Sequence, residues 1–184
     1  MYCKSVFLVP FVLLCTFVSI GCPSSKDAKE DDKEKLAIDV RFSPKGGCTD
    51  AVVDALNAAR KSVYVQAYSF TSAPIARALV EAHKRGLAVK AILDKSQRSE
   101  KYSSADFVAH AGIAVLIDAK HAIAHNKIMI IDEETVITGS FNFTKAAEES
   151  NAENLLLIHS KVLARRYLEN WVNHSEHSEG YEGR

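Results

Sequence analysis

From residue 36 onward, apolar positions fall alternately into short strand-like runs and longer amphipathic ones. Residues 38–42 (Ile-Asp-Val-Arg-Phe) read as a first strand, ended by Ser43-Pro44-Lys45-Gly46-Gly47. Cys48 or Thr49 then opens a helix with Ala51, Val52, Ala55, Leu56 and Ala59 on one side, the three-to-four spacing of a helical face. Residues 63–68 predict a second strand. Ser72 caps the next helix, with Pro74 in its first turn and Gly86 as its stop. Residues 87–93 are nearly all apolar, as in a central strand covered on both faces. A polar loop over 94–103 leads to a helix ending near Gly112 and a strand over 113–117. Strands over 128–131 and 135–138 are joined by Asp132-Glu133-Glu134 as a hairpin. A buried strand over 154–158 and a helix over 161–171, striped by Val162, Leu163, Tyr167 and Leu168, complete the pattern. Alternation of this kind predicts an α/β fold, a mixed β-sheet flanked by helices on both faces.

The ends of the chain differ from this middle. Residues 6–21 form an apolar run behind Lys4, shorter than the roughly 20 residues a membrane span needs, and are expected to be a secretory leader. Ser19-Ile20-Gly21-Cys22 resembles a bacterial lipoprotein box. Ser19 stands where leucine is usual, which leaves plain cleavage or an uncleaved anchor as alternatives to lipid on Cys22. The expected organisation is a leader over 1–22, a charged flexible linker over 23–36, a catalytic domain over 37–172 and a polar, frayed tail over 173–184. The protein is expected outside the cytoplasm, periplasmic or attached to a membrane through its N-terminus.

Charge narrows the choice of partner only locally. The formal net charge of the 184 residues is zero, so no global field announces a polyanion. Lys95, Arg98 and Lys101, with Lys120 and Lys145, are expected to form a basic rim able to follow a nucleic-acid backbone; a solvated loop is the plainer reading. Outside the leader only Cys22 and Cys48 remain, with no Cys/His spacing of a zinc site. Cys48 is expected to be a small half-buried residue, or, if Cys22 is free, its disulfide partner. His121 and His125 make an H-x-x-x-H pair, but in strand-like context and without a glutamate beside it, so no metal or other cofactor is expected. His83 and His110 are expected to face solvent, and His174 and His177 to belong to the tail.

The chemistry concentrates between residues 125 and 153. His125 and Lys127 lie two apart at the start of one strand, and Ser140 and Asn142 two apart after the next, so each pair shares a face. An imidazole, an ammonium, a hydroxyl and a carboxamide brought together suit an anionic oxygen cluster, and phosphate fits best. Phe141 and Phe143 are expected to pack beside them.

These positions spell H-x-K-x4-D-x6-G-S-x-N, from His125 through Lys127, Asp132, Gly139 and Ser140 to Asn142. The pattern resembles the signature of the phospholipase D superfamily, and its single copy resembles the small bacterial nuclease branch. The likeness covers roughly residues 36–171, including Phe42-Ser43-Pro44 and Tyr68-Ser69-Phe70-Thr71-Ser72. It implies hydrolysis of a phosphodiester through a phosphohistidine, with His125, Lys127, Asp132 and Glu153 as the catalytic set. Lys127, Ser140 and Asn142 would hold the phosphate oxygens. Glu153, where the family places an acid, would orient a catalytic imidazole and fix its tautomer. Asp132 sits uneasily in that set, because strand parity puts it on the opposite face or in the turn, where bracing the hairpin is its expected work. One imidazole cannot attack phosphorus and protonate the leaving oxygen at once, so a homodimer with a shared active site is expected, Phe141 and Phe143 lining its interface. The substrate is expected to be DNA or RNA, with phospholipid head groups as the alternative.

Overall fold

The computed structural model describes residues 36–184, so the expected leader, Cys22 and all but the end of the charged linker lie outside the described residues. Eight strands form one mixed sheet in the order β1-β7-β6-β5-β2-β3-β4-β8. They are β1 (Ala37–Ser43), β2 (Ser62–Ala67), β3 (Ala88–Asp94), β4 (Ala114–Asp118), β5 (Lys127–Ile131), β6 (Thr135–Gly139), β7 (Glu153–His159) and β8 (Glu179–Tyr181). Among the described residues five α-helices accompany them: α1 (Cys48–Ala58), α2 (Ala73–Lys84), α3 (Ala105–His110), α4 (Lys145–Glu149) and α5 (Lys161–Ser175), with a short 3-10 helix at Lys95–Arg98. The β2–β3 and β3–β4 pairs are parallel, and all other neighbours are antiparallel.

Period-two alternation sorts the core into two layers. Val89, Ala91 and Leu93 of β3 join Val63, Val65, Met129, Ile131, Leu155 and Leu157 in the larger cluster, packed against Val52 and Leu56 of α1 and Ile75 and Leu79 of α2. Ile92, from the other face of β3, joins Ile128, Ile130 and Val136 under Ala164 and Trp171 of α5. This is why residues 87–93 are almost uniformly apolar: the strand is covered on both sides. Trp171 stacks edge-on to Tyr64 at 5.1 Å between centroids and donates its indole N–H to the Val65 carbonyl at 2.8 Å, so its one polar atom stays paired as the ring is buried.

Residues 173–184 depart from expectation. Instead of fraying, they finish α5 and add β8 to the free edge of β4, and Arg184 pairs with Asp106 at 3.0 Å. The polar composition of this stretch hid the pairing, because an edge strand needs only backbone groups on one side. Cys48 is fully buried rather than half-buried, and burial pushes its thiol up to about 11. His83 also turns inward, with a buried Nδ1 lacking a hydrogen-bond partner.

The opposite edge has an uncovered apolar face. Ile38, Val40 and Phe42 alternate along β1 and are 50%, 43% and 65% exposed. Their cross-strand partners Ile158 and Leu156 extend the strip across β7, beyond the strands that α5 covers. Among the described residues no helix is long and apolar enough to cross a membrane.

Candidate active site

The site is built where β5 begins and β6 ends. Lys127 is the first residue of β5, pairs across the ladder with Ala67 at the end of β2, and is buried. Its Nζ donates to the His125 carbonyl at 3.0 Å and lies 5.3 Å from the centre of the Tyr68 ring. The His125 ring packs on the same tyrosine, 4.7 Å between centroids. Tyr68 therefore holds the imidazole and shields the ammonium together, a role not assigned from sequence. Its own backbone N–H bonds to the Asn126 carbonyl at 2.8 Å, which ties the β2 end to the His125 loop. Burial lowers the pKa of Lys127, and the Glu153 carboxylate opposes that shift. Glu153 is thus an electrostatic partner of the lysine.

Ser140 and Asn142 come from the turn that follows β6. That turn exists because Gly139 takes φ 146° with the Asn154 carbonyl pressed against it; a Cβ there would lie 2.3 Å from that oxygen. The Asn154 carbonyl accepts from the N–H groups of Ser140 and Phe141, both at 3.1 Å. In return the Ser140 hydroxyl oxygen accepts from the Asn154 N–H at 3.0 Å and its Nδ2 at 3.3 Å. With both lone pairs engaged, the Ser140 proton is the group left to donate to a substrate oxygen. The Asn142 carboxamide oxygen is buried without a partner, a costly arrangement for a residue with a packing role alone.

This geometry corrects the place of Asp132 in the implied catalytic set, in favour of the bracing role that strand parity gave it, and the expected interface role of Phe141 and Phe143. Asp132 lies at the far end of β5 from Lys127, about 16 Å along the strand at roughly 3.3 Å per residue. It stands in a tight turn with Glu133, both at positive φ, and its carboxylate accepts from the N–H groups of Arg60 (2.9 Å), Lys61 (2.7 Å) and Ser62 (3.0 Å). It splices the hairpin to the start of β2 and takes no part in the site. Phe141 and Phe143 are fully buried core residues, so they line no interface. Phe143 instead couples the Asn142 turn to the Tyr68 segment, its carbonyl accepting from Thr71 (3.0 Å) and Ser72 (2.9 Å).

Glu153 accepts from Asn151 Nδ2 at 3.1 Å and forms no bond to His125 within the chain. The expected basic rim is partly spent internally: Arg98 pairs with Glu179 and Lys145 with Glu149. Lys95 donates to the His121 carbonyl at 3.0 Å, an uncharged partner, while Lys101 lies over Tyr102 at 5.3 Å. The histidines assigned to the tail are not in a tail: His174 and His177 meet His121 around Asp118. Only D-x-x-H and H-x-x-H spacings, far apart in the chain, hint at this in sequence.

Comparison with known proteins gives the same picture. Residues 52–174 match the family described as cardiolipin synthase, PLD-like domain. A phospholipase D of Rickettsia felis is 46% identical over 153 residues, covering 83% of this chain and 76% of the relative. The mouse mitochondrial cardiolipin hydrolase is 31% identical over 149 residues, 81% of this chain and 60% of that protein. Among solved structures, the phospholipase D family member Nuc from Salmonella typhimurium superposes with a TM-score of 0.78 at 38% identity, covering 81% of this chain and all (100%) of that one. NucT from Helicobacter pylori gives 0.75 at 26% identity over 80% of this chain and 100% of its own. Sequence match, sheet and the histidine–lysine corner meet in one conclusion: the chain belongs to the phospholipase D superfamily and is a phosphodiesterase.

Proposed function

We propose that the chain is an endonuclease that hydrolyses DNA or RNA as a homodimer, through a phosphohistidine and without a metal ion in the chemical step. The observation that carries the reading is the pairing of one motif imidazole per chain with the uncovered apolar strip on β1 and β7. Ile38, Val40 and Phe42 are open for a second copy, and Phe42 lies opposite Asn154, the residue that holds Ser140. A two-fold interface in that region would bring two copies of the motif to one axis.

In the first step His125 Nε2 attacks phosphorus, a P–N bond forms, and the P–O bond to the leaving group breaks. His125 of the partner subunit, protonated, gives its proton to the departing oxygen. In the second step water attacks phosphorus, that now neutral imidazole takes the water's proton, and the P–N bond breaks to release the phosphate product. Lys127 from each chain and the Ser140 proton neutralise the non-bridging oxygens, the work a metal clamp does in other nucleases. Glu153 supports this by holding Lys127 in its charged form.

Nucleic acid is favoured because Lys95, Lys101 and Lys120 follow the C-terminal ends of β3 and β4, the sheet edge at which β5 begins, and have no carboxylate partner among the described residues. Phospholipid is the second reading, favoured by exposed Ile123 and Tyr102 (57% and 71%) beside those lysines and by the names of the Rickettsia and mouse relatives. The test offers the protein single-stranded DNA, duplex DNA, RNA and cardiolipin-containing vesicles, with EDTA added at the start of the assay. Nucleic-acid cleavage that persists, with an acid-labile phosphoryl group trapped on His125, is expected. Head-group release from vesicles with nucleic acids untouched would overturn the substrate; full dependence of cleavage on added metal would overturn the mechanism.

A further inference from the structure

Asp118 ends β4 and is completely buried, yet three imidazoles converge on it. His121 Nδ1 lies 2.9 Å from its Oδ2, His174 Nδ1 2.9 Å and His177 Nε2 3.4 Å. The three rings are mutually equidistant, with centroids 4.9, 5.2 and 5.3 Å apart. The other carboxylate oxygen is held by the chain itself: Oδ1 accepts from the N–H groups of Lys120 (3.1 Å) and His121 (3.3 Å). His121 Nδ1 also lies 3.1 Å from Oδ1 and so straddles both oxygens, while Oδ2 is presented to all three ring nitrogens.

Plain hydrogen bonding accounts poorly for this arrangement. A carboxylate oxygen has two lone-pair sites, and here three ring nitrogens crowd Oδ2, one of them shared with an Oδ1 already engaged by two backbone N–H groups. The same geometry is what a cation with nitrogen and oxygen ligands requires. The four donor atoms lie within 4.8 Å of one another. Tetrahedral ligands about 2.0–2.1 Å from zinc are about 3.4 Å apart, so side-chain adjustments on the order of 1 Å would close the set. The backbone grip on Oδ1 is the orienting outer contact that metal-bound carboxylates receive.

We propose that Asp118, His121, His174 and His177 form a structural zinc site. Three imidazoles and a carboxylate favour Zn²⁺ over Mg²⁺ or Ca²⁺, which take oxygen ligands. Four protein ligands leave no open position for substrate or activated water, so the ion has no part in phosphoryl transfer. Its effect is positional. His121 stands four residues before His125 on the same loop, while His174 lies in the last turn of α5 and His177 in the turn between α5 and β8. A metal at Asp118 fastens the loop that presents the nucleophile to the C-terminal helix. This inference stands whether the substrate is nucleic acid or lipid.

The test uses the full chain, purified, saturated with Zn²⁺ and desalted, with metal counted by elemental mass spectrometry. One zinc per chain is expected, and Co²⁺ in its place is expected to give the intense visible absorption of a tetrahedral site. His174→Ala and Asp118→Asn should each weaken zinc binding at least tenfold, whereas His83→Ala and His110→Ala should not. Removing zinc should lower the melting temperature of the wild type and leave that of His174→Ala unmoved. Less than a tenth of an ion per wild-type chain, or a weak six-coordinate cobalt spectrum, would overturn the proposal without recourse to any variant. So would zinc lost on His125→Ala but retained by His174→Ala, which would put the ion in the active site.

Discussion

Asp132 is the motif residue that geometry removes from the catalytic set, and replacing it separates structure from catalysis. Its carboxylate accepts three backbone N–H groups at the start of β2, with Oδ1 taking Lys61 (2.7 Å) and Ser62 (3.0 Å) and Oδ2 taking Arg60 (2.9 Å). A hydrogen bond to a charged group contributes about 1.5–3 kcal/mol where it is sheltered, and much less where water competes. Arg60 and Lys61 are exposed, so water replaces much of what they lose; Ser62 is buried, and its N–H would go without a partner. Alanine also tolerates the positive φ of 56° less well than aspartate. The sum for Asp132→Ala is about 2–3 kcal/mol, with most of it from Ser62 and the turn. In a domain of this size that lowers Tm by roughly 5–10 °C. Asp132→Asn keeps one accepting oxygen and the turn preference but aims an NH2 at the Arg60 N–H, so about 1 kcal/mol is expected. If the residue has no chemical role, kcat/KM at a temperature where both variants are folded should stay within about twofold of wild type. Loss of a general acid or base would instead cost about 10²–10⁴-fold. The assay is a thermal melt beside steady-state cleavage. A normal Tm with a hundredfold drop in kcat for Asp132→Asn would refute the structural account.

Four further outcomes follow from the site and its edge. His125→Ala should abolish turnover while the protein still binds a phosphodiester, seen as retention of labelled oligonucleotide; a tenth of wild-type activity would remove it as nucleophile. Glu153→Gln deletes the charge that holds the Lys127 pKa up against burial. The ammonium then loses its proton at lower pH, so the alkaline limb of the kcat/KM profile should move toward neutrality. Phe42→Asp on the β1 strip should convert a dimer to monomer in analytical ultracentrifugation and lower activity in parallel, because the uncovered face would then carry a charge. A purified hybrid of one wild-type and one His125→Ala chain should retain almost no activity if the site is shared, and about half if each chain is complete.

What could be read from the sequence was local. The covered centre of the sheet announced itself in residues 87–93, since a strand buried on both faces has no polar positions to spare. The hairpin, the pairing of His125 with Lys127 and the displacement of Asp132 to the wrong face all follow from period two, which needs no knowledge of neighbours. The strands flanking β5 did not follow. β2 lies between β5 and β3 because of crossovers, and that is what carries Tyr68 onto His125. Phe141 and Phe143 looked suited to an interface because they flank Asn142, but the turn after Gly139 folds them into the α1–α2 layer.

The histidines show the limit most clearly, and also why it falls there. His121 and His125 share one loop, so a metal reading from sequence pairs them with each other and then fails for want of ligands. Their separation depends on Asp118, a residue whose only sequence signal is an acid after an apolar strand. Its carboxylate is buried at the mouth of β4 because β8 closes that edge, and β8 exists because the polar residues after α5 have backbone groups to give. The contact between residues 118 and 174 is therefore made by topology, not by pattern: α5 must first be seated on Ile92, Ile128 and Ile130 before its last turn reaches the β4 end. A short apolar helix face laid down for packing thus decides which of two neighbouring histidines meets Asp118 and which is left beside Tyr68 and Lys127.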